Sequence, residues 1–169
     1  DKRFVKWVLN NRYYKRLFGD LVFRNSIEYG QLAQLSGRRS PPSERFFLGG
    51  PNNLKGFQIF SVGPTIPRPG ADPDALFEPL GGHVEMFALF ELEYPWLREA
   101  GLKLVTFYDA GNAFSKFPSA EEFKIRTDAG FGIRWFSPIG PLRFEWGFPF
   151  NRGANEDSSV FQFFIGPPF

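Results

Sequence analysis

The sequence contains no cysteine and a single histidine, His83, in 169 residues. The lack of cysteine excludes a disulfide framework and a thiolate metal site, and we expect neither a metal ion nor another cofactor. Lysine and arginine (20) nearly balance aspartate and glutamate (18), so the chain lacks the excess of positive charge typical of nucleic-acid binding. No apolar run approaches the roughly 18 residues of a transmembrane helix. The amino terminus also lacks the long apolar segment of a signal peptide.

Phenylalanine, by contrast, is unusually abundant, with 23 residues, and aromatic residues make up 19% of the chain. An ordinary soluble core does not need so many aromatic side chains, whereas a lipid-facing surface with aromatic girdles does. The apolar residues recur with period two. Within residues 142–150, Phe144 and Trp146 share one face of a predicted strand. Arg143 and Glu145 share the other face, which makes one side of the strand apolar and the other charged.

The same alternation predicts seven strands of about nine to eleven residues, the length that a tilted strand needs to cross a bilayer. They cover residues 4–13, 21–29, 84–94, 102–111, 125–135, 142–150 and 160–169. Short connections (15–20, 96–101, 137–140) alternate with longer ones (30–80, 112–123, 151–159), as in outer-membrane β-barrels. A soluble antiparallel sandwich also alternates. Charges of both signs at mid-strand and aromatic strand ends favour the barrel.

An open sheet of seven strands cannot lie in lipid, because its edge amides would have no partners. Bacterial single-chain barrels contain an even number of strands, about eight or more. We therefore expect an all-β fold in which residues 1–169 form the C-terminal part of a larger antiparallel transmembrane β-barrel, with further strands before Asp1. Residues 30–80 would form a long external loop, and their many prolines and glycines suit fixed turns.

Four stretches carry a resemblance to a known family. In chain order they are FFLGGPNNLKGFQ, GGHVEMFALFELEYP, FYDAGNAF, and GFGIRWFSPIGPLRFEWGFPF followed by SSVFQFFIGPPF. Together they resemble the C-terminal barrel of the BamA-type outer-membrane protein assembly factors. Their superfamily also includes the mitochondrial and chloroplast assembly channels and the two-partner secretion transporters. The resemblance implies a sixteen-stranded barrel preceded by periplasmic POTRA domains, and it implies that the loop 30–80 folds back into the lumen.

The resemblance also implies a site at the tip of this loop. The family motif is usually Val/Ile-Arg-Gly-Phe/Tyr, and here it reads Leu54-Lys55-Gly56-Phe57. In relatives the cation meets acidic residues of the inner wall. Lysine is a point charge without the planar fork of arginine, so we expect a looser contact that favours one carboxylate or includes a water. A solvated loop cation is the alternative for Lys55.

By motif position the two wall residues are Glu91 and Asp109, and strand alternation independently places both on the inward face. We expect Gly56 to allow close backbone approach to the wall and Phe57 to pack beneath the tip. Gly111 belongs to the matching FYDAGN strand motif. We expect the other wall charges to form a solvated ladder without individual functions; they are Glu85, Glu93, Asp128, Glu145, Arg126, Arg134 and Arg143.

The last strand resembles the family's C-terminal signal, in which alternating aromatic residues end in Phe or Trp. Its named positions are Phe161, Phe163, Ile165, Gly166 and Phe169. Glycine and the following prolines weaken ladder pairing, so we expect a short, weak seam. Such a seam suits a lateral gate at which client strands add by β-augmentation. A frayed chain end is the alternative interpretation.

The function implied by the resemblance is assembly and insertion of β-barrel proteins into the bacterial outer membrane. The implied partners are the lipid bilayer, unfolded client proteins, accessory outer-membrane lipoproteins and POTRA domains of the parent chain. We expect no enzymatic activity, because no nucleophile, base and orienting group are evident around His83 or elsewhere. The alternatives are a two-partner-secretion or autotransporter-assembly channel of the same superfamily and, third, a passive porin.

Overall fold

The fold is known from a computed structural model, which describes residues 3–35, 40–66, 78–153 and 156–167. Within these ranges there are nine strands and one 3-10 turn at Pro42–Glu44. The strands are β1 (Phe4–Arg16), β2 (Val22–Gln34), β3 (Thr65–Ile66), β4 (Glu78–Pro79), β5 (Val84–Leu97), β6 (Leu102–Phe114), β7 (Arg126–Ser137), β8 (Gly140–Pro149) and β9 (Val160–Ile165). None of the described segments is a helix of the length and apolarity that crossing a membrane requires.

Seven strands form one antiparallel sheet in the order β1-β2-β5-β6-β7-β8-β9, and β3 and β4 pair separately within the long loop. Each strand of the large sheet therefore lies beside its neighbour in the chain, as in a barrel wall built from successive hairpins. β1 and β9 are the edges of the described sheet. The prediction of seven antiparallel strands and an all-β fold is confirmed.

Several predicted strand ends were wrong. β2 continues through Gln34, which pairs with Phe4 of β1, so the long loop spans 35–83 rather than 30–80. β6 likewise continues to Phe114. Pairing with a neighbouring strand extends these strands through Gly and polar residues that have low strand propensity by themselves.

The last strand is shorter than predicted, because β9 ends at Ile165 instead of continuing to 169. Gly166 has φ +148°, a backbone conformation that favours glycine, and Pro167 has no amide hydrogen to donate to a ladder. The predicted position Phe169 lies outside the described residues.

The two faces of the sheet differ as the alternation predicts. Phe131, Phe161 and Phe163 are each 52% exposed on the outer face, whereas Asp109 and Glu145 on the inner face are fully buried. The burial comes from the long loop, whose residues 46–62 cover the inner side of the sheet. The main apolar core therefore lies between loop and sheet; its members are Leu48, Leu54, Phe57, Val62 and Ala113, with Phe87 packed against them.

Candidate functional site

The loop tip is shaped by a tight turn that begins at two adjacent glycines. Gly49 and Gly50 have φ of +101° and +113°, which residues with a side chain rarely adopt. The Asn53 side-chain oxygen accepts hydrogen bonds from the amides of Gly49 (2.8 Å) and Leu54 (2.7 Å). The Phe57 amide then donates to the Leu54 carbonyl (3.2 Å). This turn chemistry places Lys55 at the tip, facing the sheet.

The structure brings Lys55 together with both predicted carboxylates. The Lys55 Nζ lies 2.9 Å from Asp109 Oδ2 and 3.3 Å from Glu91 Oε1, and all three side chains are completely buried. The Lys55 backbone amide also donates to Asp109 Oδ2 (3.2 Å), so Asp109 contacts both ends of the residue. The ammonium further lies 4.5 Å from the centre of the Phe107 ring, a cation–π arrangement. Lys55 is therefore not a solvated loop cation.

The charges around Lys55, which belongs to the loop rather than to a strand, hold its ammonium in the protonated form. Burial by itself lowers the pKa of this amine, but the negative charges of Asp109, Glu91 and Glu145 outweigh that effect. As a result the pKa of Lys55 lies above its ordinary value of 10.5.

A second cation sits on the wall beside Lys55. Arg134 of β7 donates to both oxygens of Glu91, at 2.7 and 2.8 Å, in the bidentate geometry that a guanidinium favours. Arg134 also donates to Glu145 Oε1 at 3.0 Å from Nε and 2.7 Å from Nη2. The planar fork that the loop motif lacks at Lys55 is thus present on the barrel wall.

The charged residues of the wall also form hydrogen bonds with the loop. Arg143 of β8 donates to Glu145 Oε2 (2.8 Å), to the carbonyl of Pro51, and to the Asn52 side chain (3.3 Å). Six of the seven predicted ladder residues, all but Arg126, are at most 6% exposed, so the expectation of a solvated ladder was wrong for them. Alternation places side chains inward but does not reveal that a remote loop excludes water from them. Arg134, Arg143 and Glu145 form buried ion pairs, which offset the cost of removing their charges from water.

Two glycines allow the loop backbone to touch the wall. A Cβ added to Gly56 would lie 2.8 Å from Asp128 Cγ, and a Cβ added to Gly147 of β8 would lie 2.8 Å from the backbone carbon of Lys55. Both distances are well inside van der Waals contact. Gly56 was expected to allow such an approach, whereas Gly147 carries no sequence signal beyond its inward position.

Phe57 packs in the core between loop and sheet and is 2% exposed. The Arg126 guanidinium lies 4.6 Å from the centre of its ring. Its backbone carbonyl accepts a hydrogen bond from the side-chain amide of Gln162 in β9 (3.0 Å). This contact was not predicted, although Gln162 is the polar, inward position between two predicted seam phenylalanines.

The remaining predicted positions lie away from the tip. Gly111 leaves room for Phe87, since an added Cβ would meet Phe87 Cβ at 2.5 Å. Phe161, Phe163 and Ile165 face outward, and Phe161 packs against Trp146 with ring centres 4.7 Å apart. The loop motif and the outward seam residues are therefore on opposite faces of the sheet.

An antiparallel sheet with an exposed aromatic outer face and an ionic inner face covered by a loop defines a class: a segment of a transmembrane β-barrel. The comparison with known proteins then gives the family. Residues 1–169 match the Omp85 superfamily domain, and the chain belongs to this superfamily.

Individual relatives agree with this assignment. The chain is 30% identical over 177 residues to the outer membrane protein assembly factor BamA of Nitratidesulfovibrio vulgaris, covering 100% of this chain and 21% of that protein. It is 28% identical over 149 residues to BamA of Neorickettsia risticii, covering 85% of this chain and 19% of that protein. A 64-residue part, 38% of the chain, is 36% identical to the human sorting and assembly machinery component 50 homolog and covers 14% of it.

The solved structure of BamA from Haemophilus ducreyi lacking POTRA domains 1–3 shares the fold, with a TM-score of 0.78 at 23% identity. The match covers 95% of this chain and 34% of that one. The chain thus spans about a fifth of the length of its curated BamA relatives. The expected resemblance to the C-terminal part of a BamA-type barrel is confirmed.

Proposed function

We propose that this chain is the part of an outer-membrane protein assembly factor that carries the lumen loop and the terminal strand. The parent protein inserts β-barrel clients into the outer membrane of a Gram-negative bacterium. Its relatives from Nitratidesulfovibrio and Neorickettsia are named as assembly factors, which supports this class of function. Insertion of clients requires no covalent chemistry. The partners are the bilayer, unfolded clients, accessory lipoproteins and POTRA domains of the parent chain.

The observation that carries the proposal is the buried contact of Lys55 with Asp109 and Glu91. A passive porin needs a lumen open to water. Here the loop packs an apolar core against the inner face, and its tip is tied by a buried ion pair. We therefore assign the loop a latch role: while it is docked, it keeps the inner wall rigid.

The short last strand supports the second half of the proposal. β9 pairs with β8 over six residues, from Val160 to Ile165, and Gly166 and Pro167 follow directly. A terminal strand with so little pairing suits a site where client strands add by β-augmentation. In the proposed mechanism the seam opens laterally to the membrane and templates successive client strands.

The test uses the full-length protein in vesicles of phosphatidylethanolamine and phosphatidylglycerol, with an unfolded outer-membrane barrel as client. Lys55→Ala leaves Asp109 buried without its cation, and we expect the yield of protease-resistant client to fall about tenfold or more. Lys116→Ala is the matched control, because Lys116 is a loop lysine that is 75% exposed. Unchanged client assembly in Lys55→Ala would contradict the latch. Transport of a dedicated soluble partner without client insertion would favour the secretion channels of the superfamily instead.

A further inference from the structure

Besides Glu91 of β5, the loop tip touches the four following strands of the wall. Asp109 of β6 binds Lys55, Asp128 of β7 packs against Gly56, and Gly147 of β8 lies against the same backbone. The fourth contact comes from Gln162 of β9. Its side-chain amide donates to the carbonyls of Phe57 (3.0 Å) and Lys55 (3.4 Å), and the residue is only 7% exposed.

This last contact joins the loop to the strand of the large sheet with the shortest described pairing. β9 pairs with β8 over six residues, and this pairing ends at Ile165. Phe161 and Phe163 point outward and are half exposed, so they do not reach the loop. Gln162 points inward between them. Movement of β9 away from β8 would withdraw the amide from both loop carbonyls.

Building on the proposed function, we propose that Gln162 is a positioning residue that couples docking of the loop tip to pairing of the terminal strand. The Gln162 amide and the Phe57 carbonyl meet in a buried hydrogen bond, so displacement of either one costs the other this bond. Coupling of this kind is reciprocal: whatever loosens the tip must loosen β9 to the same degree, and the reverse. β9 is therefore held less firmly when the loop is undocked.

Hydrogen–deuterium exchange on the full-length protein, in the same vesicles and without client, tests the coupling. Gln162→Met keeps the side-chain length but removes both donors. We expect about tenfold faster amide exchange in residues 50–58 of the loop. In the reciprocal arm, Lys55→Met should speed exchange in residues 160–165 of β9. Gln31→Met, which alters a glutamine of β2 on the far side of the sheet, should change neither segment.

If Gln162→Met speeds exchange in β9 but leaves the loop tip protected, Gln162 has only a local structural role and the proposal is overturned. If Gln162→Met does not fold, the Lys55→Met arm decides the question at β9. Gln162→Asn, which keeps the amide but shortens its reach, should fall between wild type and Gln162→Met. Exchange requires no client. If the coupling is observed but client assembly is unaffected in Lys55→Ala, the proposed function alone is contradicted. If the coupling is absent but client assembly is lost in Lys55→Ala, this inference alone is contradicted.

Discussion

The two partners of the buried loop-tip ion pair should respond unequally to removal of their charges. In Lys55→Met, Asp109 loses its cation and keeps the backbone amide of residue 55 at 3.2 Å. In Asp109→Asn, the ammonium keeps Glu91 at 3.3 Å. Because Glu91 retains Arg134 in both variants, only Lys55→Met leaves a buried charge without a counter-ion.

The magnitudes follow from the distances. At about 3 Å and an effective dielectric constant of about 20, one such pair is attracted by about 5 kcal/mol before desolvation is subtracted. Removing one partner of a buried pair typically costs about 3–5 kcal/mol. We expect Lys55→Met to weaken loop docking by about 4 kcal/mol and Asp109→Asn by about 2 kcal/mol. The double variant should cost about 2 kcal/mol less than the sum of the two singles, as close charge pairs do in double-mutant cycles.

The assay uses the absence of cysteine from these 169 residues. Val62→Cys places a thiol on the loop, in the core between loop and sheet, at a position that is 2% exposed, so maleimide labelling requires undocking. A cost of about 4 kcal/mol accelerates labelling by nearly a thousandfold, since about 1.4 kcal/mol corresponds to a factor of ten. Lys116→Met is the control for loss of a loop charge. The reasoning is refuted if Asp109→Asn labels as fast as Lys55→Met, or if the two effects simply add.

Two further predictions concern the backbone contact and the loop-tip charge. Gly147→Ala should expose the loop to labelling at Val62→Cys, because the new methyl group meets the backbone of Lys55; Gly153→Ala, whose nearest neighbours lie 3.7 Å away, should not. If each of the two variants is labelled at the wild-type rate, Gly147 is not part of the surface on which the loop docks. Because the folded pKa of Lys55 is raised, its contribution to docking is fully present below pH 10.5 and is lost as the pH rises through the raised value. Labelling rates, corrected for thiol ionisation with an unstructured cysteine peptide, should therefore stay level from about pH 7 to 10 and climb above that range; a climb at neutral pH would contradict this.

Alternation and motif position were sufficient to predict which face each strand residue occupies. Glu91 and Asp109 could be placed inward because a strand has a fixed period of two, and the family motif then supplied their partner. The contacts of Arg134 and Gln162 could not be predicted in this way. Period two assigns a face but contains no information on which remote segment covers that face, and the covering loop lies in a different part of the chain.

Strand ends were the least predictable part of the fold for a related reason. Gly30 and the polar residues up to Gln34 look like the beginning of a loop, but register pairing with β1 keeps them extended. Local composition favours a turn at this point, and the neighbouring strand overrides it.

The guanidinium on the wall accounts for the tolerance of lysine at the loop tip. Arg134 already occupies both oxygens of Glu91, each with one of its terminal nitrogens. Glu91 therefore attracts residue 55 mainly through its negative charge, without a preferred direction. An ammonium can make such a contact from any angle. The bidentate contact with Glu91 thus comes from Arg134 on β7, and the second positive charge comes from Lys55 on the loop. An arginine at position 55 would bring a second guanidinium to a carboxylate whose two oxygens already accept from Arg134.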